Sequence, residues 1–581
     1  MITVDEVVAR VRAGGPFDDV TLMGLDLRGL DLSLADLSGV TLIRVDLRKA
    51  LLRGATLRGA KIFDCDLRGV ALDEAQLAEA MVMGGSLVDA SLKDCGLSGA
   101  RFGRVNFGAL DLSGRTLSQV SFSECKLGGM MAATSKLEEV TFNHCKLADA
   151  DFNGSKLLHV TFGRSDIARA TFEGAEVTEC AFSEAGLIGT DLSGASLQRV
   201  GFPRADLRLA SLPRSLSECV FVAAAFRTSD LPEEDERRKL LDGVAIPTPS
   251  FEGCDLSKAS LRGIDLSDVS FRGANLDFCD LGDTNLSRAS FEGADLRHAG
   301  LNGARLEEVD LSGHDLELTT FRRANLRGAN LSATSMVLTS LDGADLSGAD
   351  LSRAFLWGAT LREATLDGVR LEGTELKTVD FDESDMRSLP LAGLRLTRCS
   401  FVSADLSGMD LTGCDFTHAD FRKASLRQAN LQEATLKEAC LREAQAELAD
   451  FGGVDGRGTD CALANLKSAK LRGAQFRFAN FDGADLEHTD MSRCDLRETS
   501  FVEARALGTR FDGAKLDYAD LSHAEVGGAS FADARLFSAN LHVLREEKTD
   551  WSGANTAAAK RTNDARLTAE TWTAPPRPEE L

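Results

Sequence analysis

A bulky apolar residue stands at every fifth position for almost the whole of this 581-residue chain. From Leu22 to Leu212 the series has 39 members, and only Ala132 is neither a bulky aliphatic nor Phe. After Leu212 the register slips back by one, to Leu216, Phe221 and Phe226. It resumes from Phe251 to Leu541, where Ala446, Gly456, Cys461 and Ala506 are the exceptions among 59 positions. A period of five matches neither the 3.6 of a helix nor the 2 of a strand. Self-similarity at a fixed period over hundreds of residues marks a solenoid, in which each coil buries its core only against its neighbours.

A second period lies on the first. Phe102, Phe122, Phe142, Phe162, Phe182 and Phe202 take every fourth place in the series, and the column continues at Phe221, Phe321, Phe381, Phe401, Phe421, Phe481 and Phe501. Four five-residue sides then make one coil, and residues one coil apart stack at the strand spacing of about 4.8 Å. The position two before each bulky residue is nearly always small, as at Ala35, Ala55, Ala274, Ala344 and Ala424. It faces inward at the corner of a narrow square. The residue between them is often Asp or Asn, and the last two positions are commonly Ser, Arg or Gly, which suits an exposed turn. About 25 such coils give a rod on the order of 120 Å long.

Segments such as Ala35-Asp36-Leu37-Ser38-Gly39 and Ala344-Asp345-Leu346-Ser347-Gly348 resemble the pentapeptide-repeat family, whose consensus is Ala-(Asp/Asn)-Leu-X-X. The resemblance covers roughly residues 20 to 552. It implies an all-β fold, a right-handed quadrilateral β-helix solenoid.

The expected order is a short capping helix over 1–15, with Thr3 as N-cap and Gly14-Gly15 as the stop. A first coil stack follows over 16–229. Residues 230–250 break the repeat: Asp230 or Pro232 starts a helical insertion that ends near Gly243, and Pro247 and Pro249 forbid a regular coil; a hinge between two rods is the alternative. A second stack spans 251–551, and 552–581 reads as a flexible tail.

Eleven of the thirteen cysteines, Cys65, Cys95, Cys125, Cys145, Cys180, Cys219, Cys254, Cys279, Cys399, Cys414 and Cys494, occupy the small inward slot, and Cys461 takes a bulky one. Cys behaves there as a small buried hydrophobe. No CxxC spacing occurs, so neither a metal nor a disulfide framework is expected. Free thiols suit a reducing compartment. With no N-terminal signal and no apolar run of spanning length, the cytoplasm is the expected location and no membrane insertion is expected.

Nothing in the chain points to catalysis or to a cofactor. His144, His159, His298, His418, His488 and His523 fall at turn positions spread along the stack. His314 sits in an inward slot and reads as a tolerated polar core residue. No phosphate-binding, zinc-hydrolase or nucleophile-elbow motif appears.

Net charge is −24, with 30 acidic against 25 basic residues in 1–230 and 60 against 41 in 231–581. Some members of the resembling family match B-DNA in size and charge and bind type II topoisomerases such as DNA gyrase in its place. DNA carries one charge per about 1.7 Å, so a rod of this length needs roughly 70 to match it. Acids and bases are also interleaved. The column Asp255, Asn275, Asp295, Asp315 breaks at Ser335 and Phe355. The mimic is therefore the alternative, and no direct nucleic-acid binding is expected.

Departures from the repeat remain. Leu318, Val337, Leu338, Phe355 and Trp357 put apolar side chains at positions that should face water, and coil-on-coil stacking brings them close. Exposed apolar patches mark partner sites. Leu389-Pro390-Leu391 and Leu394 should distort the coil. Residues 445–463, with Ala446, Gly456 and Cys461, should bulge. The expected function is a non-enzymatic scaffold or adaptor that offers flat faces to a protein partner, in the style of accessories of bacterial secretion spikes. The expected state is a monomer, or an end-to-end dimer if the C-terminal coil is free.

Overall fold

The computed structural model describes residues 2–216, 218–227, 233–241 and 249–572. Two compact units divide the chain, Met1–Gly300 and Leu301–Leu581.

Unit 1 opens with α1 (Val4–Arg12). Thr3 and Glu6 form a reciprocal capping box, acids fill the first turn and arginines the last, as the helix dipole favours. Val7 and the following Phe17 are buried, and Arg10 lies over the Phe17 ring. From Thr21 the chain coils with parallel pairing to the residue one coil further on, on all four sides: Thr21 to Thr41, Asp26 to Asp46, Asp31 to Leu51, Asp36 to Thr56. One side carries a seven-stranded sheet of β1 (Thr21–Met23), β2 (Thr41–Ile43), β3 (Lys61–Phe63), β4 (Met81–Met83), β5 (Arg101–Gly103), β7 (Ser121–Ser123) and β9 (Thr141–Asn143). Another carries β6 (Thr116–Ser118), β8 (Lys136–Glu138), β10 (Lys156–Leu158), β11 (Glu176–Thr178) and β12 (Ser196–Gln198).

Asp or Asn before the bulky residue favours the turn over the strand. Its side-chain oxygen accepts the N–H two residues on, as Asp31 does from Ser33 at 3.0 Å and Asp111 from Ser113 at 2.9 Å. This bond competes with extended structure. None of the described three-residue strands begins with Asp or Asn; Thr, Ser, Lys, Met, Arg, Glu or Phe starts each of them. The residue two after the bulky one turns the corner in the left-handed region. Gly24 (φ 64°) fits it freely, yet Leu34 (φ 58°) occupies the same slot.

The interior is the expected ladder. Phe102, Phe122, Phe142, Phe162, Phe182, Phe202 and Phe221 stack with ring centroids 4.8–5.3 Å apart. The register slip is absorbed without a break: Gly201 pairs with Val220, one position short of a full coil, and Val220 pairs with Ser260 across the insertion. Of the insertion, the described part holds a 3₁₀ helix, Glu236–Leu241. It lies against the coil, where Arg237 Nη1 donates to the Arg204 carbonyl and Arg208 Nη2 donates to the Arg237 carbonyl. Asp230, Pro232, Gly243 and Pro247 lie outside the described residues.

Within unit 2 the chain pairs coil to coil in the same way, with β13 (Ser335–Val337), β14 (Phe355–Trp357), β15 (Glu375–Lys377) and β16 (Leu396–Thr397) in one parallel sheet. Residues 445–463 do not bulge. Gln445 pairs with Asn465, Asp450 with Lys470, Asp455 with Gln475 and Asp460 with Asn480. The thin slot at Gly456 is filled from the next coil, because a Cβ there would lie 2.2 Å from the Phe476 ring. Around Pro390 the disturbance is one-sided: the proline has no N–H to give, while Asp385 still pairs with Asp405 and Arg395 with Asp415. His314 is half-buried, and its Nδ1 lies 3.0 Å from the Leu311 carbonyl. Where the sequence suggests a tail from 552, the coil runs on to Lys560, which pairs with Asn540, and α2 (Asp564–Glu570) follows. Trp551 stacks on Phe531 at 4.4 Å, extending the core by one aromatic. No helix among the described residues is long and apolar enough to cross a membrane.

Candidate protein-contact surface

The sheet β13–β16 sets the geometry of the apolar positions. Its central residues Met336, Leu356, Leu376 and Leu396 point into the core. Their neighbours therefore point out, because successive side chains alternate. Register places Phe355 beside Ser335 and Trp357 beside Val337. The Leu318 N–H donates to the Val337 carbonyl, and the Leu338 N–H to the Trp357 carbonyl, both at 2.9 Å. All five residues singled out by sequence thus meet on one face and corner of unit 2.

Leu318 is 42% exposed, Leu338 54%, Phe355 37% and Trp357 48%; Val337 is half-buried. Leu338 lies over Gly358, where an added Cβ would come within 2.8 Å of its Cδ2 methyl. Glycine at 358 makes room for that side chain. On the far side, β15 sets Glu375 beside Phe355 and Lys377 beside Trp357. An apolar centre edged by mixed charge results.

Some of the acids elsewhere are paired with cations, although acids outnumber bases by 24. Arginines bind the aspartate two residues back, as Arg48 does Asp46 and Arg297 does Asp295, both at 2.6 Å. Others bridge adjacent coils, as Lys156 to Glu176 at 2.8 Å and Arg370 to Asp350 at 2.7 Å. Bonds from Ser352 above all, with Arg370 adding, hold the Asp350 carboxyl down to about 2. Divided at Gly300, the units carry 44 acidic against 33 basic residues and 46 against 33. Neither concentrates the excess.

The cysteines are free and, except for the half-buried Cys254 and Cys440, buried. Burial pushes Cys65 up to about 11 and Cys95 up to about 12. A thiol raised in this way is a weak nucleophile and a weak metal ligand.

Sequence reading passed over His542, the one histidine directly after a bulky residue. Its side chain is 2% exposed and meets α2. His542 Nδ1 accepts the Asn563 N–H at 3.1 Å, so Nε2 carries the proton and donates to Glu570 Oε2 at 3.1 Å. His523 Nε2 reaches the same oxygen at 3.1 Å. His523, His542 and Glu570 are the one group of metal-type donors gathered among the described residues. With both His542 nitrogens engaged, the trio serves as a clasp for α2 and offers a cation no lone pair at His542.

Arg115 was also not foreseen. It takes an inward slot that is normally small, and its guanidinium donates to the carbonyls of Leu92 and Cys95. A cleft of about 480 Å³ opens beside it, lined by residues that include Asp89, Lys93 and Asp111. The signal was a large charged residue two places before Leu117.

The family description Pentapeptide repeat region matches residues 135–212, 244–321 and 374–451. The description Pentapeptide repeats (8 copies) matches 31–69, 339–377, 459–497, 479–517 and 514–542. Together they cover more than half of the sequence. Among curated protein sequences none matches. Solved structures that align include full-length QnrB1, a plasmid-mediated fluoroquinolone resistance protein, at 21% identity over 33% of this chain and 95% of that one, TM-score 0.20. HetL, a pentapeptide-repeat protein involved in heterocyst differentiation regulation in the cyanobacterium Nostoc sp., aligns at 26% identity over 46% and 96%, TM-score 0.14. A thylakoid-lumen pentapeptide-repeat protein of Arabidopsis thaliana aligns at 32% identity over 19% and 68%, TM-score 0.14. At these scores the assignment rests on the repeat sequence itself.

Proposed function

The chain belongs to the pentapeptide-repeat family, and we propose that it is a non-enzymatic scaffold that binds a protein partner through the surface around Trp357. One observation carries this reading: Leu318, Val337, Leu338, Phe355 and Trp357 converge on an exposed face whose register is fixed by backbone ladders. Aromatic side chains held on a rigid sheet lose little entropy when a partner covers them, and such anchors dominate interface energies. The absence of motifs and the protonated thiols support a binding role over a catalytic one. Cytoplasmic residence is the matching proposal, from thiols kept free.

The topoisomerase-mimic alternative requires acids that present bare charge. Here arginine or lysine meets part of them within a coil or from a neighbouring coil, as at Asp46, Asp295 and Asp350, while others such as Asp31 and Asp410 bond, among the described residues, only Ser33 and Thr412. Surface pairing of this kind weakens the field at a distance. An adaptor role beside a secretion spike is the finer form of the scaffold proposal.

The test is affinity capture by tagged full-length protein, beside its Leu338→Glu and Trp357→Glu variants, in low and high salt. Loss of one partner in both variants, with wild-type capture retained in salt, supports the proposal. A partner retained by both variants and released by salt points to charge recognition instead.

A further inference from the structure

The apolar face continues into a corner that runs the length of the coils in unit 2. Along it, the N–H of each corner residue donates to a carbonyl in the next coil, just before the equivalent corner: Leu318 to Val337, Leu338 to Trp357, Phe478 to Arg497 and Tyr518 to Phe537. The rungs between follow the same rule, as His418 to Lys437 and Glu438 to Arg457. From Leu318 to Ser538 the corner rises eleven coils, about 53 Å at the strand spacing.

The rungs run on from Ser538 to Ala557, and apolar side chains gather at two places along the corner. One holds Leu318, Leu338 and Trp357. The other holds Phe478, Tyr518 and Phe537, exposed by 55%, 59% and 43%. Tyr518 and Phe537 pack edge to face at 5.7 Å. Between them the corner is polar, and His418 and Glu438 flank the midpoint.

We infer that this corner binds a second copy of itself, antiparallel, about a two-fold axis between the His418 and Glu438 rungs. This rests on the reading of the Trp357 surface as a protein-contact site and names the occupant. An isologous contact requires that each residue meet its mirror position in the partner. Inversion about that midpoint sets the Leu318 rung on the Phe537–Ser538 rung and Leu338 on Tyr518. Trp357 then faces Arg497, a cation–aromatic pairing, and Lys377 comes to the rung of Phe478, whose ring Arg477 of the same chain already covers at 4.5 Å. At the centre His418 faces Glu438. The rung with Arg398 opposite Arg457 sets like charges together, but Asp455 lies 2.8 Å from Arg457 within the same chain and offsets them. Apolar meets apolar at both ends and cation meets ring beside them, a match that a corner with one apolar end cannot make.

The experiment is sedimentation equilibrium of full-length protein and four variants: Leu338→Lys, Tyr518→Glu, the double Leu338→Lys/Tyr518→Glu, and Leu463→Lys. Leu463 is equally exposed, at 54%, on a different corner. Wild type and Leu463→Lys are expected to dimerise alike. Each corner single is expected to weaken the dimer about 30-fold or more, the loss of a hot-spot residue. The double restores it, because the introduced lysine of one copy meets the introduced glutamate of the other. Circular dichroism melts shared by all five separate loss of contact from loss of fold. A monomeric wild type, or a double variant no tighter than the singles, overturns the inference. If a monomeric wild type still loses its captured partner on Trp357→Glu, self-association fails while the contact-surface proposal stands.

Discussion

The carboxylate of Asp206 and the guanidinium of Arg208 meet at 2.7 Å with neither side chain exposed to solvent, beneath the carbonyl of Arg237. The insertion therefore closes over an ion pair on the side of the coil. Removing Arg208 leaves the Asp206 carboxylate buried without that cation, which costs roughly 3–5 kcal/mol. Arg208→Met should lower the thermal midpoint of the protein markedly. Asp206→Leu/Arg208→Met should recover most of the loss, since paired apolar replacement of a buried ion pair is near neutral. Equal damage by single and double variants would contradict this account.

Gly456 breaks the bulky series, so the repeat pattern alone recommends leucine there. The structure reverses that advice, because the Phe476 ring already fills the slot. Gly456→Leu should destabilise by about 1–3 kcal/mol through overpacking. Adding Phe476→Leu should relieve it. Chemical denaturation of the three proteins measures both effects.

Thiol labelling at pH 8 in native buffer should be slow at Cys65, Cys95, Cys399 and Cys494, whose thiols burial pushes up to about 11 or 12. Cys254 and Cys440, half-buried, should react first. All thirteen should react once denaturant is added. Rapid native labelling of the inward thiols would mean that the coils open.

Asp350, held down to about 2, contributes stability that is complete above the usual carboxylate range and is lost as pH falls through about 2. Asp350→Asn should therefore melt below wild type at neutral pH, and the gap should close in strong acid. A gap that persists at the lowest pH would assign the effect to packing.

Most of the fold was legible because one core slot repeats: Leu22, Phe102 and Leu541 meet the same environment, so their spacing states the coil directly. The exposed apolar face was legible for the same reason, since Phe355 and Trp357 stand where polar residues belong. What could not be read depends on single side chains answering each other across coils. Gly456 gave no sign that Phe476 would fill its slot. His542 gained meaning only once α2 brought Glu570 to it, 28 residues away in sequence. The pairing of the Leu338 end with the Tyr518 end appears only when the corner is followed rung by rung.

The most direct test of the central claim, that the Trp357 face is where this protein touches another, is site-specific photo-crosslinking. A photoreactive phenylalanine analogue replaces Trp357 in one protein and Leu463 in another, both full length. The account predicts a discrete protein adduct, which is a second copy of the chain if the corner self-associates, at position 357 and none at 463. Equal adducts at both positions, or none at 357, would contradict it.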